Sequence, residues 1–290
     1  VGFTNRGAEA LLRTRIMAIR KYIPNAEFYV LTVYKNSCKS IEDIEYIQTF
    51  GGQREKLNSF VYLLKSFFLA VLWSFDLVIF KLTKKCFSKN IRKISSSDAF
   101  ISTDGDVLGE DYGFLPYIWR LYYLSIGLFL RKPVVIFSEG VGPFKSKLGK
   151  KISRIFFNKC AYISVRDKIS YENLINLGIK SKIDIVPDSA FLLEKIDNDN
   201  LNYKKDNKVL VGIAVSELAT KYGFKYKNEK NSYTGFIKFM AEISDYIIDK
   251  YDADIIFIPH VVQIQRDDYK TAQDICNLIK NNLRIKIANR

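Results

Sequence analysis

The chain has 290 residues, of which 48% are hydrophobic, and this excludes a wholly disordered protein. It carries 45 basic and 31 acidic side chains, and the excess is concentrated in residues 53–97 and 143–183. Such local charge favours anionic partners: phosphorylated small molecules, an anionic membrane surface or nucleic acid. Four widely spaced cysteines and one histidine disfavour a zinc site and suggest the reduced thiols of a cytosolic protein.

Apolar runs alternate with helical patterns, which predicts an α/β architecture with a largely parallel sheet. Strands are predicted over residues 28–33, 99–103, 134–138, 161–165, 183–186, 209–215 and 255–258. Helices are predicted over residues 11–23, 147–158, 167–177, 233–251 and 269–281. A polar linker, residues 195–207, is predicted to separate a first domain, 1–194, from a second, 208–290.

Two segments, 58–87 and 117–133, are unusually apolar. In the first, Lys65, Asp76 and Lys81 leave uncharged runs about half as long as the ~20 residues that a spanning helix needs, so no transmembrane helix is predicted. Two alternatives stay open for the helices of both segments, the first of which belongs to a predicted helical insertion near 58–95. The helices are buried, which is the favoured alternative, or one apolar face lies in a membrane interface with the flanking lysines on lipid headgroups.

Polar motifs follow several predicted strands, at the carboxyl edge where open α/β sheets bind ligands. Asp104 and Asp106 follow the strand at 99–103, where a carboxylate suits a general base or a sugar ligand; an Asp-Gly turn is the alternative. Ser138, Gly140 and Gly142 follow the strand at 134–138. Closely spaced glycines let backbone N–H groups converge on an anion, although this loop has neither a Walker nor a GxGxxG pattern.

Three further residues stand at predicted strand ends. Arg166 suits bidentate binding of a phosphate or carboxylate, with capping of the next helix by its Arg-Asp pair as the alternative. Asp188 suits either a helix N-cap or a cleft wall. A lone histidine is more often structural, but the position of His260 just after Pro259 favours function.

The order of these motifs carries more information than any one of them. The segments "NRGAEALL", "DGDVLGEDYG", "SEGVGPF", "VRDKISYENLINLG", "PDSAFLL" and "IPH" together resemble the polysaccharide pyruvyl transferase family. The resemblance implies two Rossmann-like domains facing a cleft, as in GT-B enzymes, with a truncated second domain whose Arg-x-His element is expected beyond residue 290. It also implies transfer of the enolpyruvyl group of phosphoenolpyruvate to a sugar of a cell-surface polysaccharide or lipid-linked precursor, giving a pyruvate ketal and phosphate.

The motifs and the resemblance together predict the site. Asp106, as general base, Arg166 and His260 are the predicted catalytic residues. The predicted substrate-binding residues are Asn5, Arg6, Glu9, Asp104, Ser138, Gly140, Gly142 and Asp188. No metal or cofactor is expected, and phosphoenolpyruvate serves only as donor substrate.

The expected partners are this donor, a sugar or lipid-linked oligosaccharide acceptor, and an anionic membrane surface. The expected location is cytoplasmic, peripheral at the inner face of the plasma membrane. Two alternative functions stay open: a GT-B-like glycosyltransferase that uses a nucleotide sugar, and a non-catalytic membrane-surface protein of the same fold. Nucleic-acid binding ranks last, because no recognisable binding module accompanies the basic charge.

Overall fold

The computed structural model describes residues 5–33, 41, 43–50, 59–103, 105–194, 208–221, 224–263 and 266–288. These residues form two compact units, one containing 8–194 and the other containing 5–7 and 208–288. The predicted linker, 195–207, lies outside the described residues.

The first unit combines a parallel sheet with helices. Its elements are α1 (Arg6–Tyr22, whose first two residues group with the second unit), β1 (Phe28–Thr32), β2 (Ile44–Gln48), α2 (Ser59–Thr83), α3 (Lys89–Ser96), β3 (Phe100–Ile101), α4 (Phe114–Phe129), β4 (Val134–Glu139), α5 (Lys147–Phe157), β5 (Tyr162–Val165), α6 (Lys168–Leu177), β6 (Ile183–Ile185) and a 3₁₀ turn (Ser189–Leu192). Strands β3, β4, β5 and β6 form one parallel sheet in that order, and β1 and β2 form a parallel pair.

Side chains from the middle strands form the centre of this unit. Val134, Ile136, Ile163 and Val165 are completely buried, as expected for a parallel sheet with helices on its faces. The helices that follow these strands begin at capping residues: Ser146 caps α5 and Asp167 caps α6. Helix α6 ends at Gly178, which has the left-handed conformation.

The second unit has a smaller parallel sheet. Its elements are β7 (Leu210–Ile213), α7 (Leu218–Lys221), α8 (Ser232–Tyr251), β8 (Asp254–Phe257), β9 (Val262–Gln263), β10 (Arg266–Asp267), α9 (Asp268–Cys276), a 3₁₀ turn (Asn282–Arg284) and β11 (Ile285–Ile287). Strands β11, β8 and β7 are parallel in that order. Ile255, Phe257, Ala272 and Ile275 form the centre of its core.

The predicted α/β class with parallel sheets is confirmed, and both units are consistent with Rossmann-like folds. Element lengths differ from the prediction. The strand predicted over 99–103 contains only Phe100–Ile101, and the last helix ends at Cys276 rather than at 281. Strands β2, β9, β10 and β11 were not predicted; each is short and is defined by pairing with a neighbouring strand.

The favoured prediction of a buried apolar helix is wrong for α2. By length and composition alone its residues Leu63–Thr83 suffice to cross a membrane, with a mean hydropathy of 1.9, and only 28% of the apolar window is buried. By length and composition, the charged residues within α2 therefore do not exclude a membrane-spanning helix, contrary to the prediction. α4 fits the buried alternative better, since Tyr117, Leu121 and Ile126 lie in the core.

Gly127 of α4 allows close packing of that helix on the sheet. A Cβ atom at this position would lie 2.7 Å from the Phe100 ring and 2.8 Å from Val134 Cγ2. We expect Gly127→Ala to lower the free energy of unfolding by about 1–3 kcal/mol through overpacking. The control is Gly235→Ala in α8, where the added Cβ atom would lie 3.4 Å from its nearest neighbour. For this variant we expect the free energy of unfolding to stay the same or to rise by about 0.4–1 kcal/mol. Denaturant unfolding of both variants tests this, and equal stabilities would contradict it.

Candidate active site

The Arg15 side chain of α1 forms hydrogen bonds with several residues at the carboxyl edge of the four-stranded sheet. Its Nη1 donates to Glu139 Oε1 at 2.8 Å and to Ser102 O at 3.3 Å. Its Nη2 donates to Ser138 O at 3.0 Å, and its Nε donates to Ser189 Oγ at 3.2 Å. Arg15 is 1% exposed and Glu139 is fully buried. A single side chain thus connects the residues that follow or end β3, β4 and β6.

Neither Arg15 nor Glu139 was among the predicted site residues, although a signal exists in the sequence. Arg15 lies on the same helical face as Leu11 and Leu12, which are buried. A cation within an apolar helix face requires a buried partner, and Glu139 at the end of an apolar strand supplies it. The two positions are 124 residues apart, so the sequence pattern alone does not pair them.

Arg166 follows β5 at the same edge. Its Nη1 donates to Asp188 Oδ2 at 2.9 Å, whereas Asp167 Oδ2 lies 3.9 Å from its Nε. The side chain is 30% exposed, so solvent and small molecules reach it. A Cβ atom placed on Gly140 would lie 3.2 Å from Arg166 Nη2, so the guanidinium lies against the glycine loop.

Asp106 belongs to the same group. A Cβ atom on Gly140 would lie 3.3 Å from Asp106 Cα, and Gly140 N donates to Gly105 O at 2.5 Å. The Asp106 side chain is exposed and accepts a hydrogen bond from Tyr112 Oη at 3.0 Å. The structure therefore brings together Asp106, Gly140 and Arg166, with Asp188 on the guanidinium. Asp104 lies outside the described residues.

The glycine loop does not present its N–H groups as predicted. Gly140 N donates to Gly105 O, Val141 N to Ser170 Oγ, and Gly142 N to Leu108 O. These three donors are engaged within the protein, so the predicted convergence of the loop N–H groups on an anion is wrong. Because Gly140 has no side chain, Arg166 and Asp106 can both lie close to it. Gly140 and Gly142 stay predicted substrate contacts.

Ser138 and Asp188 have structural partners. The Ser138 hydroxyl donates to Pro187 O at 2.9 Å and accepts from Ser189 N at 3.1 Å, which joins β4 to the segment after β6. Asp188 accepts from Ala190 N at 2.9 Å, so its predicted N-cap role is confirmed, and it also binds Arg166. Asp167 caps α6 through Ser170 N at 2.7 Å, so this alternative is also confirmed.

Glu110 supports the loop that carries Asp106. Its carboxylate is 5% exposed and accepts hydrogen bonds from Ser146 Oγ at 2.6 Å, from Ser146 N at 2.8 Å and from Lys145 N. Burial opposes ionisation, but the hydrogen bonds from Ser146 and Lys145 outweigh it, and the pKa of Glu110 is lowered. This carboxylate also lies at the N-terminus of α5, where negative charge is favoured.

The remaining predicted residues lie elsewhere. In the first unit, Glu9 forms an i,i+4 ion pair with Arg13 at 2.8 Å. In the second unit, Asn5 forms an antiparallel bridge with Val261, and Arg6 N donates to His260 O at 3.0 Å. The His260 side chain is exposed after β8. The predicted catalytic residues are therefore divided, with Asp106 and Arg166 in one unit and His260 in the other.

The buried carboxylate of Asp268 fixes the backbone around His260. It accepts from His260 N at 3.3 Å and from Val261 N at 2.8 Å. Among the residues that the structure describes, no cluster of three His, Cys, Asp or Glu side chains is placed to hold a metal ion.

The fold is α/β, and one edge of its four-stranded sheet brings together Arg166, Asp106 and Asp188. A family model described as polysaccharide pyruvyl transferase matches residues 5–289, nearly the whole chain, and the chain belongs to that family. It is thus a transferase with polysaccharide pyruvyl transferase activity and a polysaccharide acceptor. No curated protein and no solved structure gives a significant match.

Removing one member of the buried ion pair is expected to destabilise the first unit. Arg15→Met leaves the Glu139 charge buried without its partner, and we expect a loss of about 3–5 kcal/mol in the free energy of unfolding. Arg15→Met/Glu139→Met is expected to lose less than the sum of the single changes. Urea unfolding of the double-mutant cycle measures this coupling, and additive losses would contradict it.

The lowered pKa of Glu110 predicts a pH dependence of stability. Its folded-state pKa is below the ordinary value of 4.5, so its contribution is complete above that pH and is lost as the pH falls through the folded-state pKa. Between pH 6 and strongly acidic pH, the free energy of unfolding is expected to fall less in Glu110→Gln than in the unsubstituted protein. Glu172→Gln, at an exposed position, is the control. Parallel pH profiles for Glu110→Gln and the unsubstituted protein would refute this role.

Proposed function

We propose that the protein transfers the pyruvyl group of phosphoenolpyruvate to two hydroxyls of a sugar in a cell-surface polysaccharide or its lipid-linked precursor. The products are a pyruvate ketal and phosphate. Family membership and the partly exposed Arg166 at the sheet edge support this proposal. The GT-B-type two-domain architecture expected from the sequence is part of the same proposal.

Donor binding in this proposal depends chiefly on the Arg166 side chain. Phosphoenolpyruvate carries a phosphate and a carboxylate, and a guanidinium binds either through paired N–H donors. The neighbouring loop donors at Gly140 and Gly142 are engaged internally, so they do not replace it. Asp188 holds one end of the guanidinium by an ion pair of 2.9 Å, which orients the group before the donor binds.

The chemistry requires proton transfer at both reactants. Protonation of C3 makes C2 electrophilic, one sugar hydroxyl adds to C2, the C2–O bond to phosphate breaks, and the second hydroxyl adds. The two hydroxyls lose two protons; one balances the proton gained by C3 and the other leaves with phosphate. Asp106, which is exposed and hydrogen-bonded to Tyr112, is the proposed base for a hydroxyl. His260 stays a predicted catalytic residue.

The direct test is incubation of the protein with phosphoenolpyruvate and a panel of polysaccharide and lipid-linked acceptors. Phosphate release that depends on the acceptor, together with a ketal carbon in the NMR spectrum of the product, is the expected result. Release of a nucleoside diphosphate from a nucleotide sugar without phosphate release from phosphoenolpyruvate, or no phosphate release with any acceptor, would overturn the proposal.

Arg166→Ala tests donor binding in the same assay. Loss of a charged hydrogen bond is worth about 1.5–3 kcal/mol, so we expect KM for phosphoenolpyruvate to rise roughly 10- to 100-fold, with Arg166→Lys less affected. Lys168→Ala removes a nearby cation that is 83% exposed and is expected to leave KM unchanged. An unchanged KM in Arg166→Ala would remove this residue from the donor site.

A further inference from the structure

Helix α2 exposes an apolar face, defined here as its large hydrophobic side chains with at least 40% exposure. Its members are Val61, Leu63, Leu64, Phe67, Phe68, Val71, Leu72, Phe75, Val78 and Leu82. A solvated helix carries polar residues on its outer face. A contiguous exposed apolar surface of this kind marks an interaction site.

The inner side of α2 shows that this distribution is specific. Polar residues are buried there: Ser66 is 2% exposed and Asp76 is 5% exposed. The Asp76 carboxylate accepts from Phe87 N at 2.8 Å and from Ser88 N at 2.9 Å, so it holds the turn after the helix. The helix therefore buries these polar groups beside Ala70, Trp73 and Leu77, and it leaves its large exposed apolar surface uncovered by the described residues.

Contacts along its length hold one side of α2 against the rest of the first unit. Trp73 packs edge-on against Phe50 at 5.1 Å, and Ala70 O accepts from Tyr122 Oη at 3.1 Å. About two turns beyond Trp73, Lys81 Nζ donates to Phe129 O at 3.0 Å. A spanning helix needs about 20 residues within hydrocarbon, and this attachment to the first unit instead suits a helix lying in the plane of a membrane surface.

The charges around the apolar face have one sign. Within residues 59–96 the acidic side chain is Asp76, which is buried. The exposed cations of this segment are Lys65, Lys81, Lys84, Lys85, Lys89 and Arg92. Juxtaposed cations of this kind are attracted to anionic lipid headgroups. In a symmetric dimer through the same face, the cations of the two copies would repel each other, which disfavours a second copy as the occupant.

We propose that the α2 face docks on an anionic lipid bilayer. The apolar side chains enter the boundary between headgroups and acyl chains, and the exposed cations at 84–92 contact lipid phosphates. The helix lies in the membrane plane, and the rest of the first unit stays on the aqueous side. This docking is independent of the donor and the acceptor, because it depends only on the composition and geometry of α2 and the adjoining turn.

Vesicle co-sedimentation tests the apolar contribution. The full chain is expected to bind vesicles of phosphatidylcholine with 30% phosphatidylglycerol, and Phe67→Ser/Phe75→Ser is expected to weaken binding at least tenfold. The control Tyr22→Ser/Leu283→Ser removes side chains that are 81% and 97% exposed outside the face and is expected to bind normally. Unweakened binding of Phe67→Ser/Phe75→Ser would overturn the proposal, as would a change in oligomeric state with vesicle binding retained.

A second comparison isolates the charge. Lys85→Glu/Lys89→Glu is expected to weaken binding more than Lys150→Glu/Lys151→Glu, an equal charge change at exposed positions of α5. Binding should also fall with added salt and with phosphatidylcholine-only vesicles. Equal losses in the two charge-reversed variants would show attraction by net charge alone and contradict docking through α2.

Tryptophan probes distinguish an in-plane helix from a spanning one. Leu64→Trp and Leu72→Trp lie on the exposed face, the first near one end of the apolar segment and the second near its centre. Lipids brominated close to the headgroup are expected to quench the added fluorescence of both variants equally. Preferential quenching of Leu72→Trp by bromines at the acyl-chain ends would mean a spanning helix and overturn the proposal.

Discussion

The buried ion pair between Arg15 and Glu139 is the interaction on which the sheet edge of the first unit depends. Removing two charges from water is costly, and such a pair is tolerated only when additional hydrogen bonds satisfy its remaining groups. Arg15 meets this condition, since it also donates to Ser102 O, Ser138 O and Ser189 Oγ. The pair therefore holds the strand ends in one arrangement, and this arrangement positions the side chains that follow the strands.

Arg166 shows what this fixed edge makes possible. Its backbone N–H donates to Glu139 O, so the strand that carries the buried charge also positions the exposed one. Gly140 lets Arg166 and Asp106 approach each other, and Asp188 orients the guanidinium. One arginine is buried and holds the strand ends, whereas the other is partly exposed and is the proposed contact of the anionic donor. The difference between them lies in solvent access, which residue type does not reveal.

Helix α2 differs from helices α5 and α6 of the first unit in the extent of its exposed apolar surface. α5 and α6 place apolar residues inward and begin at polar caps, which suits water. α2 buries Asp76 and exposes Phe67, Phe68 and Phe75. If the acceptor is lipid-linked, as proposed, docking through such a surface confines the search for it to two dimensions.

The sequence by itself determined the α/β class and most strand and helix positions, because periodicity is a local property, and it offered capping by Asp167 and Asp188 as one of two alternatives at each position. It also placed Arg166 and Asp106 at one sheet edge, since parallel strands share their carboxyl ends. Only the tertiary structure decided that the loop donors at Gly140 and Gly142 are engaged, that Arg15 pairs with Glu139, and that α2 exposes its apolar face. Each of these depends on contacts between distant segments, and apolar composition alone does not state which side of a helix is covered.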